Sequence, residues 1–150
     1  MTGKRKVLVV LLLAVITVGL YFYKEFNRTN KQLKNVRPDY ELNATALIDA
    51  YEKGDSAAAV KYNGKVIEVT GSIKAIEKDA MGYYTVILGD TTQLSSVRCA
   101  IDTSNQADAA NLDEGSSARI RGACTGFNKD EMGLGSDVIL NRCAILPYKK

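Results

Sequence analysis

The stretch KVIEVTGSIKAIE, residues Lys65–Glu77, decides the fold. Apolar and polar side chains alternate along it with a period of two, as in a β-strand that has one buried face. Gly71 lies near its middle, where a long strand can bend sharply. A long strand with a bend can serve both halves of a closed sheet. The stretch therefore predicts the first strand of a β-barrel.

The same alternation returns further along the chain. After a hairpin loop at residues 78–82, the predicted strands are Tyr83–Leu88, Val97–Ile101, Ala118–Phe127 and Asp137–Leu146. A segment of helical composition, Asn105–Leu112, separates the third strand from the fourth. This β-β-β-α-β-β order is the connectivity of the OB-fold, a five-stranded Greek-key barrel. A generic α+β sheet is the alternative.

A short helical lead precedes the predicted barrel. Asn43 is a good N-cap for a helix that ends at Gly54, because glycine readily adopts the left-handed conformation that closes a helix. A second short, alanine-rich helix runs from Asp55 to Tyr62. We therefore expect a mainly β domain with a helical lead over residues 42–150.

The composition excludes many enzyme classes. Hydrophobic residues make up 46% and charged residues 25% of the chain, as in an ordinary globular protein. There is no histidine, so histidine metal sites and Ser-His or Cys-His nucleophile pairs are excluded. The three cysteines include no Cys-x-x-Cys pair that would indicate a zinc or iron–sulfur site. We expect a protein without enzymatic activity, cofactor or metal.

The N-terminal residues differ in charge and hydropathy from the rest. Residues 1–37 carry eight basic side chains and one acidic one, whereas residues 38–150 have a net charge of −4. Residues 7–23, VLVVLLLAVITVGLYFY, contain no charge and would span about 25 Å as a helix, which is the short end of what a bilayer core requires. The basic residues before them favour a cytoplasmic N-terminus.

We therefore predict a cytoplasmic basic tail at residues 1–6, a transmembrane signal-anchor at residues 7–23 and a polar linker at residues 24–41. The domain would then be extracytoplasmic, held at the inner (cytoplasmic) membrane by a single span, and in the periplasm of a bacterium with two membranes. Two alternatives remain open. A signal peptide could be cleaved after Thr17-Val18-Gly19, or the segment could be a buried core helix.

Four runs of the predicted domain resemble one known family. They are YNGKVIEVTG at residues 62–71, VRC at residues 97–99, RGACTGF at residues 121–127 and VILNRC at residues 138–143. They are similar to the tRNA-anticodon-binding-like OB family of small bacterial exported or envelope proteins, over about residues 42–146. The resemblance implies the OB-fold and an extracytoplasmic location. It implies no catalytic residue.

The cysteines suggest a structural role. Cys124 and Cys143 are equidistant from the centre of the loop between the last two predicted strands, so a hairpin could place them opposite each other. In an oxidising compartment this pair would form a disulfide. The alternative is three buried thiols, Cys99 included, that act as small hydrophobic side chains.

An OB-fold binds its ligands on the face of its second and third strands. The candidate residues for that face are Tyr83, Arg98, Arg119 and Arg121. The tyrosine could stack on a ligand and the arginines could bind phosphate or carboxylate groups. The arginines at alternate positions of the fourth strand also fit an ordinary solvated face.

The function that this sequence favours is therefore a membrane-anchored, non-enzymatic binding module. Its partner would be an envelope protein or a small ligand. The alternative is binding of single-stranded nucleic acid or an oligosaccharide, which the acidic domain disfavours because phosphate binding requires a positive surface.

Overall fold

The computed structural model describes residues 3–26, 32–132 and 134–147. The chain forms two compact units, Met1–Lys31 and Gln32–Lys150, and each is described by itself. The first unit contains one helix, α1, Gly3–Phe26. The predicted anchor at residues 7–23 lies within this helix, and the side chains of residues 7–12 lie outside the described ones. Within the described part of the chain, no helix meets the length and hydropathy that a bilayer-spanning segment needs.

The second unit is a closed barrel with helices packed against it. Its strands are β1 (Tyr40–Asn43), β2 (Val66–Lys78), β3 (Tyr84–Leu88), β4 (Ser96–Ile101), β5 (Ser117–Asn128) and β6 (Asp137–Leu146). Its helices are α2 (Ala44–Lys53), α3 (Asp55–Tyr62) and the short α4 (Gln106–Ala109). The strand order is β1-β2-β3-β4-β6-β5, and β5 also pairs with β2 and closes the barrel. The five-stranded OB-type barrel is thus confirmed.

The bend in β2 lies where the sequence predicts it. Residues 66–72 of β2 pair with β5, and residues 73–78 pair with β3. Gly71, at this change of partner, has a second role. A methyl group at this position would lie only 2.9 Å from the Cβ atom of Ala44. The glycine therefore lets the first turn of α2 pack directly against the bend.

The folded domain begins before the predicted boundary. The first two of the four residues of strand β1 were assigned to the linker, but the strand pairs in parallel with β2, with Tyr40 opposite Ile67. A single 3-10 turn, Leu33–Asn35, precedes it, and its Leu33 is buried. The domain therefore starts at Gln32 and not at residue 42. The tyrosine of β1 packs edge-on against Tyr62 of α3, so burial of this ring helps to hold the segment in place.

The core lies between the barrel and the two lead helices. Helix α2 buries Leu47, Ile48 and Tyr51 completely or nearly so. The inward side chains of the strands alternate as expected; those of β4 are Val97, Cys99 and Ile101. Asn43 occupies the predicted N-cap position of α2, but its side chain makes no capping hydrogen bond. Packing of the apolar face therefore stabilises this helix more than its cap does.

Candidate ligand-binding face

Arg98 lies on the face that OB-folds use for binding. It belongs to β4 and is in register with Ile87 of β3 and Ile139 of β6. Its guanidinium forms a close ion pair with Glu77 of β2, and its Nη1 atom lies 4.0 Å from an oxygen of Asp137. Carboxylates on both sides thus neutralise the central cation of this face, while about a third of its side chain stays exposed.

Tyr83 lies at the edge of the same face. It ends the loop between β2 and β3, and it precedes Thr85, a partly exposed residue of β3, by two positions. Tyr83 is 44% exposed. The carboxylate of Asp79 accepts hydrogen bonds from the backbone N–H groups of Met81 and Tyr83, both at 2.9 Å. The loop that carries the tyrosine is therefore ordered by its own aspartate, and an exposed aromatic ring stands beside β3.

Arg119 and Arg121 do not belong to this face, which is a correction to the predicted site. Both lie on β5, which pairs with β2 and β6 and not with β3 or β4. Both point to Glu68 of β2. The Nη2 and Nε atoms of Arg121 donate to the Oε2 of Glu68, at 2.6 Å and 3.1 Å. The Nε of Arg119 lies 2.8 Å from the Oε1 of Glu68, without the alignment of a hydrogen bond.

In the Glu68 cluster, which consists of Glu68, Arg119 and Arg121, the carboxylate is buried and the two arginines are largely covered. The side chain of Glu68 is 5% exposed and that of Arg121 is 12% exposed. Arg121 also donates to the carbonyl oxygens of Lys34 and Val36, at 3.0 and 2.6 Å. The cluster thus binds the segment before β1 to the barrel, and the interpretation of these arginines as a solvated face is also wrong. Alternation along β2 predicts that Glu68 and Ile67 point to opposite faces, but it does not predict that two arginines of β5 lie against Glu68.

The cysteines are free, so the expected bridge between Cys124 and Cys143 is not formed. Register shifts after Arg121 and after Cys124 change the pairing of β5 and β6, and Cys124 lies opposite Leu140. The thiol of Cys124 instead lies 3.2 Å from the hydroxyl of Tyr51. Equal spacing from the loop centre predicts a pair only in a regular hairpin, and bulges of this kind break that symmetry.

The buried thiols are poor nucleophiles. Burial, only partly offset by hydrogen bonds from Tyr51 and the Gly126 backbone, raises the pKa of the Cys124 thiol. Burial and the neighbouring Cys99 thiol raise the pKa of Cys143 well above its ordinary value of 9.0. Burial and Cys124 raise the pKa of Tyr51 as well. At neutral pH these groups stay protonated, whereas the thiolate is the reactive form of cysteine.

Several acidic side chains organise loops. The backbone N–H and hydroxyl of Thr92 lower the pKa of Asp90, and those of Ser104 lower the pKa of Asp102. These carboxylates are therefore held ionised, which does not suit a general acid at neutral pH. Within the described ranges, no group of three or more acidic or cysteine side chains could hold a metal ion.

A comparison with protein families agrees with the fold. The model of the family described as tRNA_anti-like matches residues 1–143. The chain belongs to this family. The match confirms the resemblance drawn from the four runs, and it also includes the N-terminal helix. None of the curated proteins matches the chain.

Several solved structures are similar to this tRNA_anti-like chain. A "putative nucleic acid-binding lipoprotein" from Klebsiella pneumoniae subsp. pneumoniae is 20% identical, with a TM-score of 0.55; the match covers 71% of this chain and 91% of that one. Asparaginyl-tRNA synthetase from Entamoeba histolytica is 15% identical, with a TM-score of 0.41, over 59% of this chain and 22% of that one. At this identity the lipoprotein shows the shared fold alone.

Proposed function

We propose that this tRNA_anti-like protein is a non-enzymatic binding module, tethered to the cytoplasmic membrane by residues 7–23, that presents its barrel on the outer side. The uncharged segment and the basic residues before it support the tether and its orientation. The family match from residue 1 onward supports the view that the N-terminal segment belongs with the domain. A tether raises the effective concentration of the module near envelope partners.

The ligand surface in this proposal is the outer face of β3 and β4. Its centre is the ion-paired Arg98, with the partly exposed Ile139 beside it and Tyr83 at its edge. A surface on which a neutralised cation lies beside a partly exposed isoleucine suits a protein or a small ligand of mixed polarity. The pairing of Arg98 with two carboxylates carries the proposal, because a phosphate would have to displace both of them.

Two cations of β2, the strand that pairs with β3, are also engaged. The ammonium of Lys78 lies over the ring of Tyr84, 5.0 Å from its centroid. That of Lys74 donates to backbone carbonyl groups of the loop between β3 and β4. Proteins that bind single strands combine a positive groove with aromatic stacking, and release of counterions from the strand drives much of their affinity. Tyr83 offers a stacking surface, but these lysines do not form such a groove.

Binding of single-stranded nucleic acid or an oligosaccharide is the second candidate. The exposed ring of Tyr83 beside β3 favours it, since every base and many sugars can stack on an aromatic face. The similar lipoprotein from Klebsiella is itself described as nucleic acid-binding. The acidic balance of residues 38–150 places this candidate second.

The tether predicts the location of the C-terminus. Alkaline phosphatase fused after Lys150 is expected to be active in a bacterial host, because it folds only outside the cytoplasm, and the fusion should stay with the membrane fraction. The variant Ile16→Arg places a charge in the apolar segment, at a cost to insertion of about 3 kcal/mol, and should release the fusion from the membrane. An inactive fusion, or a wild-type chain in the soluble fraction, would contradict the tether.

The binding face predicts where a partner contacts the domain. A photo-crosslinking amino acid at Thr85, on β3, is expected to form a discrete adduct with a partner protein in cells, or a crosslink whose yield falls when a small ligand occupies the face. The same amino acid at Val60, an exposed position on α3, serves as the control and should give neither. Single-stranded DNA and RNA should bind the purified full-length chain no tighter than about 1 µM near physiological salt, as in non-specific association.

The second candidate would replace the first on a defined result. That result is submicromolar binding of single-stranded DNA or RNA, with an affinity that falls steeply as the salt concentration rises. If Arg98→Gln also weakens this binding about tenfold, Arg98 leaves its carboxylates to bind phosphate. Equal adducts at Thr85 and Val60 would contradict the assignment of the face itself.

A further inference from the structure

Two loops at one end of the barrel carry exposed apolar side chains. Residues 89–95 connect β3 to β4, and residues 129–136 connect β5 to β6. Leu94, Met132 and Leu134, here called the apolar rim, are 68%, 86% and 75% exposed. Scattered exposed apolar residues are normal, but a group of them on adjoining loops is typical of an interaction site.

The two loops adjoin because their backbones are in contact. The Ser96 N–H donates to the carbonyl of Ser136 at 3.0 Å, and the Ser136 N–H donates to the hydroxyl of Ser95 at 3.1 Å. Gly135 has a φ of +102° and no space for a side chain: a methyl group there would lie 2.6 Å from the carbonyl carbon of Leu94. The end of one loop is thus packed directly against the end of the other.

Charged side chains hold both loops in shape. The ammonium of Lys74 donates to the carbonyl oxygens of Gln93, Leu94 and Ser95, at 2.7, 3.4 and 3.2 Å. The carboxylate of Asp130 accepts from the backbone N–H groups of Met132 and Leu134, at 2.9 and 2.7 Å. The rim is therefore ordered before any partner arrives, which lowers the entropic cost of binding.

An acidic recess lies beside the rim. It has a volume of about 430 Å³, and Glu52 of α2 and Asp130 are among the residues that line it, together with Leu94 and Gly135. One oxygen of Glu52 accepts from the Ser95 hydroxyl at 2.5 Å. The exposed Glu131 follows Asp130, while Lys129 is the one cation of its loop. Carboxylates thus outnumber free cations at this end of the barrel, since Lys74 is bound to carbonyl groups.

We propose that the apolar rim and the acidic recess form a docking site for a segment of a partner protein in which a lysine or arginine lies between apolar residues. The cation enters the recess, and the apolar neighbours cover Leu94, Met132 and Leu134. Charge complementarity selects this occupant. Anionic lipid, nucleic acid and a second copy of the same acidic loops would each bring negative charge to the carboxylates.

This docking site is separate from the β3–β4 face and does not depend on the tether. The rim lies where β3 ends and β4 begins, whereas Tyr83 lies before the start of β3. Loss of binding at the rim would therefore leave the proposed face and the proposed membrane location unaffected, and the two sets of experiments fail independently.

A fluorescent peptide of sequence SGLLKLLGS is the probe, with the full-length chain in nanodiscs of zwitterionic lipid and empty nanodiscs as the blank. We expect saturable binding with a Kd between about 1 and 100 µM. Leu134→Ser and Met132→Ser should each weaken it about tenfold, since a few buried apolar side chains dominate such interfaces. Glu52→Gln keeps the acceptor for Ser95 and removes the charge, and should weaken binding at least threefold.

The matched control is Met81→Ser. Met81 is 83% exposed, like the residues of the rim, but it lies in the loop before β3. Its replacement should leave the affinity unchanged, and a peptide with glutamate in place of lysine should bind at least tenfold more weakly. The proposal would be overturned by the absence of saturable binding up to about 1 mM peptide, by equal binding of both peptides, or by equal effects of Met81→Ser and Leu134→Ser. It would also be overturned if the wild-type chain binds lipid vesicles or self-associates and Leu134→Ser abolishes this, because the rim would then contact lipid or a second copy.

Discussion

Glu68→Ala is expected to lower the free energy of unfolding by about 3–5 kcal/mol, because it leaves two arginines in the barrel wall without their counter-charge. The side chains of Arg121 and Arg119 are only 12% and 25% exposed, so water cannot replace the lost carboxylate fully. A loss of this size is a large fraction of the 5–15 kcal/mol that stabilises a typical domain. Chemical denaturation of the full-length chain in detergent, followed by near-ultraviolet circular dichroism, measures it.

The matched control for this variant is Glu77→Ala. Glu77 also pairs with an arginine, Arg98, but its side chain is 53% exposed, so its loss should cost less than about 1 kcal/mol. Should Glu68→Ala fail to fold, Glu68→Gln keeps an acceptor for Arg121 and should be intermediate in stability. Equal effects of Glu68→Ala and Glu77→Ala would mean that burial does not determine the strength of these ion pairs.

Gly122→Ala is expected to cost about 3 kcal/mol through overpacking. A methyl group at Gly122 would overlap the sulfur of Cys143 and lie 3.1 Å from the Cβ of Leu140 and 3.3 Å from the carbonyl oxygen of Asn141. Residues 140 and 143 are completely buried, so the added carbon has no free space to occupy. Thermal unfolding should show a clear decrease in Tm, since 1 kcal/mol corresponds to roughly 4–8 °C in a domain of this size.

A double variant tests whether this clash is the cause. Cys143→Ala removes the overlapping sulfur, so Gly122→Ala should cost less in the Cys143→Ala background, by about 1–2 kcal/mol of coupling. Gly54→Ala is the control glycine, because a methyl group there would meet only the Cβ of Ala57 at an ordinary 3.8 Å. Strictly additive costs at residues 122 and 143 would refute the steric explanation.

The barrel could be predicted from the sequence because its strands alternate regularly and glycine marks the bend. The period-two pattern from residue 65 onward gives all five strands to within a residue or two. Strand β1 was missed because its pattern covers only Tyr40–Asn43. So short a strand exists only because β2 offers it a partner, and pairing between distant segments leaves little trace in the local sequence.

The site residues were predictable only in part. Arg98 and Tyr83 follow from the position of their strand and loop in the OB-fold. Arg119 and Arg121 were misassigned because alternation shows that two arginines share one side of β5 but not which neighbour covers that side. The pairing of cysteines failed for a related reason. The two register shifts in the β5–β6 hairpin fall at Gly122, where a side chain has no space, and beside Gly126, which has a φ of +157°; spacing along the chain does not encode them.

The short parallel strand β1 has a consequence for solubility. Because β2 turns from β5 to β3 at its bend, its first half would otherwise leave a row of backbone donors and acceptors without a neighbouring strand. An unpaired strand edge of this kind is a template on which another polypeptide can form a further strand and begin an aggregate. By occupying residues 67–70 of β2, the segment just before α2 blocks this route, and Arg121 keeps the block in place.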